Sequence, residues 1–149
     1  MFEYGPPLPP RVVSVETFEA DGATVIVDGD LELETAPQLE AAISALILDG
    51  YQHLVIDLSA ATFLDSVAMG TLMTSIEPLA DVPGAAVVFA GSHGVVQRWL
   101  AITGMDRLFI RFATRGAAIY AVTEATDQVH DAWRDVHRPA YPSVNHPGK

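Results

Sequence analysis

Residues 53–70 constrain the fold more than any other part of this chain. They read His-Leu-Val-Ile-Asp-Leu-Ser-Ala-Ala-Thr-Phe-Leu-Asp-Ser-Val-Ala-Met-Gly. Residues 53–58 are nearly all apolar, which predicts a strand buried on both faces. A short turn comes next, and Asp65-Ser66 opens a helix. Met69, Leu72, Met73 and Ile76 fall on one side of that helix, with Pro78 near its end. The arrangement puts Ser66 in a helical first turn, where backbone N–H groups point outward and the dipole favours negative charge. A kinase can reach such a hydroxyl, and the fold can tolerate the product.

The rest of the chain sets the bounds. Its 149 residues fit one domain with a real core and short tails. Half of them are hydrophobic and 18% are charged, which describes a globular chain. The net charge of −11 argues against sequence-independent nucleic-acid binding and against an anionic membrane surface. With no cysteine, disulfides and thiol chemistry are excluded. No apolar run approaches the ~20 residues of a membrane span. The N-terminus lacks the basic start and apolar core of a signal peptide. The expectation is a soluble cytoplasmic protein without membrane insertion.

Residues 1–10 hold Pro6, Pro7, Pro9 and Pro10 and read as an extended leader. A first strand is expected over residues 11–18 and a second over residues 23–28, joined at Asp21-Gly22 and stopped by Gly29-Asp30. Thr35 is placed as the cap of a helix with Pro37 in its first turn and Leu39, Ala42, Ile43, Leu46 and Ile47 at helical spacing, ending at Gly50. After the 53–58 strand and the Asp65-Ser66 helix come a buried strand over 85–90 and a Gly-Ser-His-Gly loop. A helix with Val95, Val96, Trp99, Leu100 and Ile102 then ends at Gly104, and a strand is expected over 108–112. A final helix runs from about Arg115-Gly116 towards Trp133. Pro139, Pro142 and Pro147 mark the C-terminal residues as a loose tail.

The element order is therefore β-β-α-β-α-β-α-β-α. Helices between buried strands imply crossovers, hence an α/β fold with a mixed, largely parallel sheet and about four helices packed on it. The single domain is set at residues 11–133, between the leader 1–10 and a flexible tail 134–149.

Three segments resemble the STAS family, the anti-sigma factor antagonists. One is the strand, Asp65-Ser66 and helix start described above. Another, Gly29-Asp30-Leu31-Glu32-Leu33-Glu34-Thr35-Ala36-Pro37-Gln38-Leu39, is similar to the family's Gly-Glu-Leu-Asp…Thr-Ala approach to its first helix. The third is Trp99-Leu100…Thr103-Gly104-Met105-Asp106, similar to its leucine…Thr-Gly-Leu helix ending. The resemblance spans residues 12–125 and implies the STAS fold, with Ser66 as the phosphoacceptor for an anti-sigma factor that is itself a serine kinase. It also implies partner exchange. The unmodified protein binds the anti-sigma factor, phosphorylation on Ser66 breaks the complex, and a phosphatase resets it. Asp65, Ser66, Glu32, Val67 and Met69 are the expected partner-binding residues. The motif departs from the family at Val67 and Ala68, where Ser or Thr and then Gly are usual, so Ser66 is its one hydroxyl. The alternative is a STAS scaffold subunit of a transporter or stress-sensing complex, docking by the same face without phosphorylation.

Plainer readings stand beside these. Asp-Ser at a helix start is most often a cap, and one residue can cap while the other exposes its hydroxyl. Asp65 and Glu32 also fit ordinary solvated loop acids. His93, between two glycines without a lysine, does not make a phosphate-cradling loop. His130, His137 and His146 are spaced irregularly and form no ligand cluster. Trp99 and Met73 sit at core spacing. Leu64 and Ala68 flank Ser66 where a hydrolase elbow carries glycines, so catalysis is not expected. Neither a cofactor nor a metal is expected.

Overall fold

Alternating β-branched and aliphatic residues build a five-stranded sheet at the centre of the protein. A computed structural model describes residues 7–137. Strands β1 (Val13–Phe18) and β2 (Gly22–Leu31) form an antiparallel hairpin. β3 (His53–Leu64), β4 (Ala86–Ala90) and β5 (Arg111–Phe112) add in parallel, giving the order β1-β2-β3-β4-β5. The connections carry α1 (Ala36–Leu48), α2 (Ser66–Ile76) and α3 (Gly94–Thr103), and α4 (Arg115–Glu124) and α5 (Thr126–His137) come after β5. Short 3-10 turns occupy Glu77–Asp81 and Met105–Arg107.

The register sorts the side chains. Val13, Val25, Val27, Leu54, Ile56, Val87 and Phe89 share one face. α1 buries Leu39, Ile43 and Leu46, α2 buries Ala68, Met69, Leu72 and Ile76, and the two helices pack together. Thr24, Val55, Asp57, Val88 and Ala90 share the opposite face, with α4 against β3, β4 and β5. α5 returns to β4 and buries Val129 and Trp133. No helix of the described residues is long and apolar enough to cross a membrane.

Several elements differ from expectation. β2 does not stop at Gly29-Asp30 but runs to Leu31, because β3 pairs with it through two register shifts. β3 correspondingly passes Leu58 and ends at Leu64. Thr35 precedes α1, yet its side chain caps nothing; the hydroxyl donates to Asp30 O at 2.7 Å and accepts from Glu32 N at 3.0 Å. The expected 108–112 strand shrinks to two residues, since Met105–Arg107 coils and Phe109 turns inward to stack on Phe89 at 4.2 Å. The final helix breaks at Ala125 (φ −122°, ψ 41°), which makes five helices among the described residues.

At the chain ends, α5 continues to His137, four residues past the expected boundary at 133. The remaining tail, residues 138–149, lies outside the described residues, as do residues 1–6 of the leader. The described end of the leader is tied down: Gln38 Nε2 donates to Pro10 O at 2.7 Å, while Gln38 Oε1 accepts from Val12 N and Val13 N.

Candidate functional site

The pairing of β4 with β3 covers only His53 to Asp57. Beyond that point β2 and β3 continue as a two-stranded ribbon, with Asp28 beside Ala60, Asp30 beside Phe63 and Leu31 beside Leu64. The ribbon carries the approach to α1 and the start of α2 to one end of the molecule.

Asp57 sets the first irregularity. Only 3% exposed, its carboxylate accepts from Ser59 N at 2.9 Å and Ser59 Oγ at 2.6 Å, which curls β3 where it gains a residue on β2. Arg115 Nε donates to the other oxygen at 2.7 Å, and Arg115 Nη1 reaches Glu16 Oε1 on β1 at 2.9 Å. Burial pushes the Asp57 carboxyl up, but Ser59 and the Arg115 guanidinium together outweigh it and hold the group below the ordinary carboxylate range. Gly91 (φ +73°) presses against the same curl. A Cβ there would stand 2.0 Å from Ser59 Oγ. Next to it, His93 Nε2 donates to Ser59 O at 2.6 Å, so this histidine braces the ribbon.

At the tip, Thr62 Oγ1 donates to Asp30 Oδ1 at 2.6 Å, and Asp65 N donates to Leu31 O at 3.3 Å. Asp65 is the cap of α2: its backbone is extended and Oδ1 accepts from Ala68 N at 2.8 Å. With that work done by Asp65, the Ser66 hydroxyl is exposed and makes no hydrogen bond among the described residues. Glu32 is half-buried and accepts from Glu34 N through its carboxylate.

The structure thus brings Asp65, Ser66, Val67 and Glu32 to one end of the fold. Met69 is not part of that surface. At 2% exposure it faces the core, because it lies on the same side of α2 as Leu72 and Ile76 and supports the tip from beneath. Further residues absent from the expected set do share the surface. Leu33 (67% exposed) and Phe63 (42%) join Val67 (44%) as exposed apolar ground at the tip, and Asp28, Asp30 and Glu34 add charge beside it. Phe63 and Asp30 become neighbours through the ribbon register, which the sequence does not display. Among the described residues no group of three or more His, Asp or Glu side chains is arranged to hold a metal ion.

An exposed serine without a hydrogen bond among the described residues, an acidic cap and exposed apolar side chains thus stand at this end of the molecule. Comparison with known proteins gives it a family context. The family model for the STAS domain matches residues 14–118. The chain is 34% identical over 114 residues to the anti-sigma-F factor antagonist RsfB of Mycobacterium tuberculosis, covering 76% of this chain and 92% of that protein. The crystal structure of an anti-sigma factor antagonist from Mycobacterium paratuberculosis is similar with a TM-score of 0.65 and 32% identity, over 78% of this chain and 98% of the other. The unphosphorylated form of the anti-sigma factor antagonist SpoIIAA shares the fold at a TM-score of 0.66 and 20% identity, over 74% and 96% of the two chains. From the 14–118 match and the relatives over 30% identical, the chain belongs to the STAS-domain family.

Proposed function

We propose that this protein is an anti-sigma factor antagonist, acting in the cytoplasm by binding rather than by catalysis. Its partner is an anti-sigma factor that is a serine kinase, and the docking surface is the ribbon tip with Asp65, Ser66, Val67 and Glu32. Phosphorylation of Ser66 ends the complex, a phosphatase restores it, and the exchange sets how much sigma factor is free for transcription.

The observation that carries this reading is the division of labour at the start of α2. Asp65 caps Ala68 N, which leaves the Ser66 hydroxyl exposed and unbonded. A phosphoserine brings about −1.5 to −2 charges at pH 7. In the first turn of a helix the fold tolerates that charge, whereas an interface closing over it beside Asp65 does not. The names of the relatives support the choice of partner.

The test is reconstitution. The full chain is mixed with the cognate anti-sigma factor and ATP, and the products are resolved by native electrophoresis and peptide mass spectrometry. One phosphate on Ser66, with loss of the complex, is the expected result, and Ser66→Ala should bind and stay bound. A complex that persists with ATP and shows no phosphate on Ser66 leaves a scaffold function on the same surface.

A further inference from the structure

Among the described residues β1 stands at one edge of the sheet and pairs with β2 alone. Asp28 N donates to Val12 O at 2.8 Å. The alternation of an antiparallel ladder then turns the N–H and C=O groups of Val13, Val15 and Thr17 away from β2. Val13 N accordingly reaches Gln38 Oε1 of α1 at 3.3 Å. The outward groups of Val15 and Thr17 meet no partner among the described residues. Such an open row is a template for another strand, and β1 has no proline, lysine or bulge to blunt it.

An apolar surface continues this edge. Val15 is 38% exposed and shares a groove with Val13, Pro37, Ala41 and Ala42. Pro37, Ala41, Ala45 and Leu48 recur every three or four residues along α1, and all four are exposed. Strands pair ~4.8 Å apart, and α1 rests across both β1 and β2. A second copy paired through β1 therefore brings the two α1 axes to roughly 10 Å, the usual spacing of packed helices. Ala41 and Ala45 are small enough to allow that approach.

The charges select a register. Two copies paired antiparallel through one strand are related by a two-fold axis. Centring the axis on Glu16 sets that acid against its own copy, and centring it on Ser14 leaves Arg11 opposite Thr17. Centred on Val15, the pairing puts Val13 opposite Thr17, Ser14 opposite Glu16, and the exposed Arg11 opposite the exposed Glu19 at both ends. Glu16 is already neutralised within its own chain by Arg115 Nη1 at 2.9 Å.

We propose that two copies of this chain join edge to edge through β1, in the register centred on Val15, with the exposed stripe of α1 packed on its copy. The two sheets become one, and the two ribbon tips point in opposite directions, which leaves each Ser66 uncovered.

Sedimentation equilibrium of the full chain, from micromolar to millimolar concentration, should show a reversible rise from the monomer mass to twice that mass. Ala41→Glu, an exposed change on α1, should weaken the dimer at least ~10-fold by setting like charges together. Arg11→Glu should weaken it roughly 10-fold through two symmetric ion pairs, and adding Glu19→Arg should restore it. The chain has no cysteine, so single cysteines report the register. Val15→Cys places two thiols on residues ~5.5 Å apart across the axis, within disulfide reach, and should cross-link on mild oxidation. Thr17→Cys, offset from its own copy, should not. Monomer mass at every concentration leaves the edge to some other partner and overturns the proposal. So does unchanged affinity in Ala41→Glu, no recovery in the Arg11→Glu, Glu19→Arg double variant, or cross-linking of Thr17→Cys as fast as Val15→Cys.

Discussion

Arg115 Nε donates to Asp57 Oδ2 at 2.7 Å, joining the first residue of α4 to the middle of β3 across 58 positions of sequence. The same carboxylate holds Ser59 N and Oγ, so one buried acid ties α4 to the curl from which the ribbon departs.

Removing Arg115 therefore leaves a buried carboxylate with only Ser59 for company. Breaking a fully buried pair costs about 3–5 kcal/mol, but the Arg115 side chain is 35% exposed and Ser59 remains. Arg115→Ala should destabilise by roughly 1–3 kcal/mol in urea unfolding. The folded Asp57 carboxyl lies below its ordinary value of 3.8, so its stabilisation is complete above that value and disappears as pH falls through the folded pKa. Asp57→Asn should consequently show a shallower loss of stability below pH 3.8 than the parent, measured by acid titration of the folded fraction.

His137 gives a pH dependence in a separate window. Burial lowers its pKa from the usual 6.5, and the bond to Leu108 O only partly opposes this. The unfolded chain therefore takes up the proton first. Stability should be full above pH 6.5 and decline as pH drops from there towards the folded value. His137→Gln should flatten that decline, as thermal melts between neutral and mildly acidic pH will show.

Ser66→Glu should weaken binding to the anti-sigma factor while leaving the fold intact. A carboxylate buried unpaired at an interface costs about 2–5 kcal/mol. The affinity should fall roughly 30-fold to a few thousand-fold by calorimetry. Thermal stability should barely change, since an acid in a first helical turn is tolerated.

Phe63 and Leu33 provide a different test of the same surface. Both are exposed, so Phe63→Ser and Leu33→Ser should leave the melting temperature close to the parent's. Against the anti-sigma factor each should cost about 1 kcal/mol or more if it lies under the partner, a loss of at least ~5-fold in affinity. Unchanged affinity in both variants would move the docking surface away from the ribbon.

Gly70 offers a stabilising change beside the site. A Cβ added there meets no atom within 4 Å, and the residue lies inside α2. Gly70→Ala should raise stability by about 0.8–1 kcal/mol in urea unfolding, the ordinary helical preference for alanine.

Local pattern was enough for the class of fold, the order of most elements and the serine. Apolar runs at period two and near 3.6 locate β3, α1, α2 and α3, because these patterns record which side chains leave water. Asp-Ser before a helical pattern marks a capped start wherever it occurs, which is why Asp65 and Ser66 were legible. Ala118, Val122, Val129 and Trp133 keep one helical stripe through Ala125, so periodicity carried no sign of the break between α4 and α5. That break is bound up with α5 packing on β4, where His130 Nδ1 meets Ala85 O. The ribbon, the inward turn of Met69 and the meeting of Asp57 with Arg115 emerged only from the packed molecule. Each depends on register or on contacts between residues remote in the chain, and a local pattern records burial, not the partner against which a residue is buried.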